Sequence, residues 1–434
     1  MDIVQGLIDT AQGYLATARQ PTTSDSDAFE LTRDASGLGD NAYRLLEELE
    51  GAGADEIPHP VVRPFQRWVT GLGVNDSIFF RSDHVANYEL ATFNGLLNSL
   101  NSLNSPSQSL VDAIAAINWP FRRVTVPSQA MGMLPHFAIV AHELGHAIQD
   151  RNNLDFNSHS AAIVDCAQRT EARLQAEGLD FDTNRQLHWR DALHSWIHEI
   201  WSDAVGGYLA GPSMLFALGA LFEITGGGVG LSATHPPHIL RLQLLVDSLE
   251  AEIDGDTHSA VFEAITGTPI TARMNCPHVA ELPDQDTLYS DLRNQLGAGE
   301  NAILEAAIAV ELVPLIQTIA GDIRAEARAI LEASNPEMIY QPAHLKDDLN
   351  HHLEAICALI PPIEHRGPDG AEPSTLAGVL NVGWAALLCK LQEFPDTSRP
   401  AGYDETAAKM EKLQELLLKA VELSEARRQW EEVQ

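Results

Sequence analysis

The chain has 434 residues, of which 45% are hydrophobic and 20% are charged, and this composition is typical of a soluble globular protein rather than a disordered one. Its 61 acidic and 27 basic residues leave a net charge of −34, so we expect neither nucleic acid nor an anionic membrane as a partner. Widely spaced cysteines without a CxxC pair indicate neither a zinc ribbon nor a disulfide framework, and they favour a reducing cytoplasm: Cys166, Cys276, Cys357 and Cys389.

Helical periodicity dominates the chain, and its length predicts two or three domains, or one domain with long helical extensions. We expect a helical N-terminal region over 1–115, a core over 116–250 and a helical C-terminal region over 251–434. In the first region, helices are predicted at 3–18, 41–53 and 88–103. The N-terminal segment lacks the basic residues of a signal peptide, so we predict a cytoplasmic location.

A short strand and a helix open the core region. RRVTVP, Arg122–Pro127, alternates valine with threonine and is the best strand pattern in the chain. The segment LPHFAIVAHELGHAIQDRNN, residues 134–153, then predicts a helix, because Pro135 suits a first helical turn. Its apolar residues recur on one face: Phe137, Val140, Ala141 and Leu144.

This helix carries a pattern typical of a zinc site. His142 and His146 are four residues apart, so both imidazoles lie on one face and can bind a single ion. Glu143 lies beside that face, where it can accept a proton from a water that the metal activates. The alternative is an amphipathic helix that carries two histidines by chance, so a third ligand has to be found.

The third ligand is expected in LHSWIHEIWSDAVGGYL, residues 193–209. Glu199 and Asp203 are again four residues apart, on a segment rich in tryptophan, isoleucine and leucine that should be buried. Two buried acids are unfavourable unless they meet a cation or hydrogen-bond donors. Both acids would have a partner if Glu199 binds the metal and Asp203 accepts a hydrogen bond from the free ring nitrogen of a ligating histidine. His198 is the competing ligand.

HELGH followed by a buried ExxxD helix resembles the gluzincin zinc metallopeptidases, the thermolysin-like superfamily. SATHPPHILRL, residues 232–242, looks like the Ser/Thr-His-Pro-Pro…Arg segment of their CAAX-protease and heat-shock-protease branch. The strand at 122–127 is similar to the gluzincin edge strand that binds extended substrate. The resemblance covers about residues 120–245. It implies a mainly α (α+β) fold, in which a catalytic core with a small sheet is embedded in helical flanking regions.

The resemblance also implies roles for individual residues. Zinc (Zn²⁺) is the expected cofactor, and the ligands would be His142, His146 and Glu199. Glu143 would be the general base in the hydrolysis of protein or peptide substrates. His235 would stabilise the oxyanion, unless it only caps the helix that follows the Pro-Pro turn.

Two further residues would support the site. Asp203 would hold a ligating histidine, and Arg241 would anchor His235 or the substrate, unless Arg241 is only a surface charge.

Two other functions stay open. One is a protease with a single protein target, which the large helical flanks would suit. The other is a non-catalytic helical interaction protein that keeps zinc for stability.

The remaining segments predict structure rather than chemistry. The uncharged stretch 204–222 is close to the length of a membrane span, but its glycines and proline favour a buried core helix or helical hairpin. Pro236 and Pro237 start another helix, and 360–374 is predicted as a loop. Residues 405–433 predict a long charged helix that packs on the protein.

Overall fold

The computed structural model describes residues 2–50, 59–74, 77–83, 88–92, 107–115, 121–128, 133–149, 152, 157–224, 235–273, 283–297, 299–367, 370–395 and 404–433. The fold is mainly α with a small three-stranded sheet, which confirms the predicted fold class. Its gluzincin-like arrangement stays a prediction.

The described helices are, in chain order, α1 (Asp2–Ala18), α2 (Asp25–Glu50), α3 (His59–Gly71), α4 (Gln108–Ala115), α5 (Val140–Gln149), α6 (Ser160–Ala176), α7 (Thr183–Ala210), α8 (Pro212–Ile224), α9 (His238–Leu249), α10 (His258–Thr266), α11 (Gln285–Leu296), α12 (Glu300–Ser334), α13 (Pro342–Cys357), α14 (Leu376–Ala385) and α15 (Glu405–Val433). The described strands are β1 (Ser77–Asp83), β2 (Glu89–Thr92), β3 (Phe121–Pro127), β4 (Glu364–Gly367) and β5 (Gly370–Pro373).

The described residues form two compact units, one made of Met1–Val62 with Val74–Ser128 and the other of Arg63–Gly73 with Gln129–Gln434. In the first unit, helices α1, α2 and α4 pack together around an apolar core. That core consists of Val4, Leu7, Ala11, Tyr14, Ala35, Leu38, Ala42, Leu45 and Leu110. The three regions predicted from the sequence stay a prediction.

The sheet of the first unit has the strand order β1-β3-β2. β3 confirms the predicted strand, but the prediction that it is an edge strand is wrong. Val124 pairs with Phe80 of parallel β1 on one side and with Leu90 of antiparallel β2 on the other. Over residues 122–125 both sides of β3 are therefore hydrogen-bonded, and an extended substrate has no free strand edge there.

The N-terminal helix predictions are right in part. α1 covers the first predicted helix, and α2 covers 41–50 of the second, whose last residues, 51–53, lie outside the described residues. The third prediction, 88–103, is wrong at its start, because Glu89–Thr92 is β2, and 93–103 lies outside the described residues. β2 pairs with β3, whose paired residues lie 30 to 36 positions further along the chain, and a nonlocal partner of this kind leaves little trace in helical periodicity.

Helix α7 is the central element of the second unit, where it packs against α5, α9 and α12. Asp182 caps its first turn by accepting a hydrogen bond from the Arg185 amide. Its buried side chains include three large tryptophans, Trp189, Trp196 and Trp201. This apolar surface is what keeps the acidic residues of α7 in a dry environment.

The uncharged stretch 204–222 spans the end of α7 and most of α8, with a break at Gly211. Most of its side chains are buried within the second unit, as expected for a core hairpin. Helix α12 is long and apolar enough to cross a bilayer, and 67% of its apolar window is buried in the protein. A core helix of a folded protein has the same two properties.

The C-terminal predictions are confirmed for α15 and corrected for the loop before it. α15 packs Leu413, Leu417 and Ala420 into the protein, as a body-packed helix should. The segment predicted as a loop at 360–374 contains a short antiparallel hairpin, β4–β5. α9 begins directly after Pro236 and Pro237, as predicted.

Candidate metal centre

The helix with the two histidines forms as its sequence indicates. A 3₁₀ segment, Leu134–Ile139, carries Pro135 in its first turn and leads into α5. The predicted apolar face is buried, and it places His142 and His146 together on the side of α5 that meets α7. The stretch after α5, including 150–151 and 153–156, lies outside the described residues.

A glycine permits the close approach of α5 and α7. A Cβ atom at Gly145 would lie 2.7 Å from the Ser202 Cα atom, which is closer than carbon atoms can pack. The backbones therefore come together only because this residue of HELGH has no side chain. This contact aligns the acidic face of α7 with the histidines of α5.

Three potential ligands converge where the two helices meet. The Nε2 atoms of His142 and His146 are 3.1 Å apart. The Glu199 carboxylate lies 3.5 Å from the first of these nitrogens through Oε2 and 3.4 Å from the second through Oε1. His142 and Glu199 are buried, and His146 is partly exposed. The group could hold a metal ion.

The other nitrogen of each imidazole has its own neighbour on α7. His142 Nδ1 lies 2.9 Å from Asp203 Oδ1, and His146 Nδ1 lies 3.0 Å from Ser202 Oγ. A carboxylate only accepts, so the proton of a neutral His142 belongs on Nδ1 and its Nε2 lone pair faces the shared position. The same arrangement is available to His146 when Nδ1 donates to Ser202. Two lone pairs that face each other at 3.1 Å repel, and either a proton on one ring or a metal ion between the rings relieves this repulsion.

Asp203 thus lies where the sequence predicted it, whereas Ser202 was missed. The only sequence signal for Ser202 is its position three residues after Glu199, on the same side of α7. Serine is common in helices, so this position alone does not mark it.

Arg241 is buried beneath the two carboxylates. Its Nε and one terminal nitrogen donate to Asp203 at 2.8 and 2.7 Å, and the other terminal nitrogen lies 3.0 Å from Glu199 Oε2. The alternative that Arg241 is a surface charge is wrong, because the residue is only 4% exposed. The guanidinium is engaged with carboxylates rather than with His235 or a substrate, so its place is to orient Glu199 and Asp203.

The charges of this cluster set its protonation. Burial lowers the pKa of His142, but Asp203 and Glu199 outweigh burial and raise that pKa to about 10. Burial raises the pKa values of Glu199 and Asp203, but Arg241 together with the neighbouring histidines outweighs it, so both pKa values fall below their usual range. The carboxylates are therefore ionised at neutral pH. In the absence of a metal, a proton on His142 supplies the positive charge that the cluster needs.

Glu143 differs from the other two carboxylates. It is 5% exposed, and no described residue donates a hydrogen bond to its side chain. Burial raises its pKa, and the nearby His142 and His146 oppose this effect. A buried carboxylate without a donor is unfavourable for stability, and such groups are typical of reactive sites.

His235 is brought to the same place from the start of α9. Its Nε2 atom lies 3.6 Å from Glu199 Oε1, and its side chain is 45% exposed. Partial burial lowers its pKa, so the imidazole is neutral at pH 7 and keeps one N–H to donate. The Ser-Ala-Thr segment before it, 232–234, lies outside the described residues.

His198, the competing ligand, does not belong to the converging group. Its ring packs against that of His194, with the ring centres 3.9 Å apart. Within the described part of the chain, the group of donor atoms contains Glu199 instead.

The chain was also compared with protein-family models, with curated proteins and with solved structures, and none of them matches it.

Proposed function

We propose that the protein is a zinc-dependent metallopeptidase that hydrolyses peptide bonds in protein or peptide substrates. The observation that carries this proposal is one constellation of buried groups. Two imidazole nitrogens and the Glu199 carboxylate converge on one point, beside a glutamate, Glu143, that has no hydrogen-bond donor among the described residues. Structural zinc sites have four protein ligands and no base, whereas hydrolytic sites have three ligands and a base.

Zinc is the metal that we infer from the donor set and its spacing. Two histidines and one carboxylate are a common ligand set of catalytic zinc. Bond lengths of about 2.0–2.1 Å in a tetrahedron place neighbouring donor atoms about 3.3 Å apart. The three distances between the donors here, 3.1, 3.4 and 3.5 Å, agree with this spacing. The ionised Glu199 and Asp203 favour a divalent cation further.

The residues of the chain have distinct tasks in this proposal. Zinc, when bound, would lower the pKa of a water molecule and polarise the substrate carbonyl. Glu143 takes the proton of the attacking water on its carboxylate and then delivers it to the leaving amine. The raised pKa of Glu143 suits the first transfer, since a stronger base accepts a proton more readily.

The other groups position the reaction. His235 donates its N–H to the oxygen of the carbonyl under attack, where negative charge develops. Asp203 and Ser202 hold the Nδ1 sides of the two histidines, and Arg241 holds the carboxylates. We place the activity in the cytoplasm, and the free thiols of Cys166 and Cys357 support a reducing compartment.

A second candidate is a helical interaction protein in which zinc serves stability alone. The observation that favours it is the burial of the site, since His142 and Glu143 are each 5% exposed. A substrate would have to approach from the side of His146 and His235, the more exposed members.

A digestion experiment decides between the two candidates. The zinc-loaded chain and its Glu143→Gln variant are incubated with a general peptide library, and cleavage and bound zinc are both measured. We expect the parent to cleave peptides and the variant to keep its zinc while losing at least about 100-fold in rate, as removal of a general base usually does. Equal cleavage by both proteins would refute the assigned base. A parent that binds zinc and cleaves nothing would favour the stability role.

A further inference from the structure

A cavity lies in the same unit as the metal centre but contains none of its residues. Its volume is about 620 Å³, which is within the usual range for small-molecule sites. It is enclosed by the end of α7, the start of α13, the start of α14 and the last turns of α15. Nothing in the proposed peptidase function uses it.

The floor of this cavity is a buried carboxyl group. Asp348 is 4% exposed and receives one hydrogen bond from the described residues, from the Tyr340 hydroxyl at 2.8 Å. No described lysine or arginine pairs with it. The backbone of α14 packs onto it so tightly that a Cβ atom at Gly378 would lie 2.5 Å from Asp348 Oδ2. The carboxyl group is therefore held in place, and it has no lysine or arginine partner among the described residues.

The walls of the cavity add negative charge. Four more acids line it: Glu337, Asp347, Glu372 and Glu431. The basic groups on its lining are already engaged. Arg428 donates to Glu425 and to the carbonyls of Pro373 and Ser374, and His344 accepts a hydrogen bond from the Gln341 amide. The potential inside the cavity is thus negative, and it favours a cation.

The rest of the lining is apolar. The indole of Trp68, the ring of Tyr340 and the aliphatic side chains of Leu209 and Ile339 provide surface on which a hydrocarbon body can pack. Aromatic faces also attract cations. The combination of a buried acid and apolar walls selects for a ligand with a charged head and a hydrophobic body.

We propose that this cavity binds a small organic cation, a primary ammonium compound with an aryl or alkyl body. The ammonium group hydrogen-bonds to Asp348, and the body packs on the apolar lining. Burial raises the pKa of Asp348 to about 7, which is what a carboxyl group without a cationic partner should show. The bound ligand supplies that partner.

The test uses 2-phenylethylammonium as the cation and 2-phenylethanol as its neutral counterpart, each titrated calorimetrically into the full-length protein. We expect saturable binding of the ammonium and at least tenfold weaker binding of the alcohol. Asp348→Asn should weaken ammonium binding by about 30-fold, because it removes the buried partner of the charge. Asp291→Asn on α11 is the control, since it removes the same charge from an exposed aspartate that does not line the cavity, and it should change affinity less than about threefold.

Three results would overturn the proposal: no binding to the parent, equal binding of the alcohol, or equal losses in the two variants. If Asp348→Asn does not fold, a crystal structure of the parent with 2-phenylethylammonium decides. A ligand nitrogen within hydrogen-bond distance of Asp348 supports the proposed site. A ligand bound elsewhere, or no bound ligand, refutes the proposed site. The zinc content of the variants is measured in parallel and should not change, because the cavity shares no residue with the metal centre.

Discussion

At the residue scale, Arg241 and the α7 acids decide how the donor atoms are aimed. The three hydrogen bonds and ion pairs of Arg241 fix the planes of the Asp203 and Glu199 carboxylates before any ion binds. Asp203 in turn fixes the ring of His142. A preformed arrangement of this kind loses little entropy when a metal binds, which is how groups behind the ligands contribute to affinity.

His235 is the residue whose role is most open to a direct test. If it donates to the developing oxyanion, His235→Ala should bind zinc as the parent does while kcat falls by about 10²–10³. If it only caps α9, the melting temperature should fall, by a loss of about 1 kcal/mol in stability, and kcat should barely change. Measuring kcat, zinc content and melting temperature on this one variant separates the two roles.

At the element scale, the contact between α5 and α7 assembles the site. Gly145→Ala places a methyl group against the Ser202 backbone, so the helices must move apart. We expect a loss of about 1–3 kcal/mol in stability, the usual cost of overpacking, together with weaker zinc binding. Chemical denaturation and zinc competition with a chelator measure the two effects.

The control for this variant is Gly321→Ala on α12, where a Cβ atom would meet nothing within 4 Å. The higher helix propensity of alanine should stabilise that variant by as much as about 1 kcal/mol. A Gly145→Ala protein with unchanged stability and unchanged zinc affinity would show that the close approach of the helices is not needed.

The residue patterns within single helices explain what could be predicted from the sequence. His142, Glu143 and His146 are set by helical spacing alone, and Glu199 with Asp203 follows from two acids on an apolar helix. These are local patterns, and they lead to the right elements.

What could not be predicted depends on nonlocal packing. The central position of β3 requires its partners β1 and β2. The contact of Ser202 with His146 requires the packing of α5 on α7. Similarly, the cavity around Asp348 is built from residues as distant in sequence as Trp68 and Arg428, which no periodicity connects.

At the scale of the whole molecule, Asp348 links folding stability to pH. An unfolded aspartate has a pKa near 3.9, whereas burial and nearby Asp347 raise that of Asp348 to about 7, against the opposing effects of Tyr340 and His351. At a pH between these two pKa values, Asp348 is protonated in the folded chain and ionised in the unfolded chain. Proton binding by Asp348 therefore favours the folded state. This contribution to the unfolding free energy is complete below about pH 4 and is lost as pH rises through about 7.

Asp348→Asn removes this dependence. The unfolding free energy of the parent minus that of the variant should therefore fall by up to about 4 kcal/mol between pH 4 and pH 8. Denaturant titrations of both proteins across this range measure the difference, and Asp291→Asn again serves as the exposed control. A difference that stays flat with pH would contradict the burial of an unpaired carboxyl group.

The zinc content of the purified full-length chain, measured by elemental mass spectrometry, tests the central claim most directly. We predict about one zinc ion per chain in the parent, most of it lost in Glu199→Ala and retained in His198→Ala. The two variants truncate neighbouring residues on α7, so a general disturbance of that helix would affect both. A parent without zinc, or zinc lost in His198→Ala and kept in Glu199→Ala, would contradict the proposed centre.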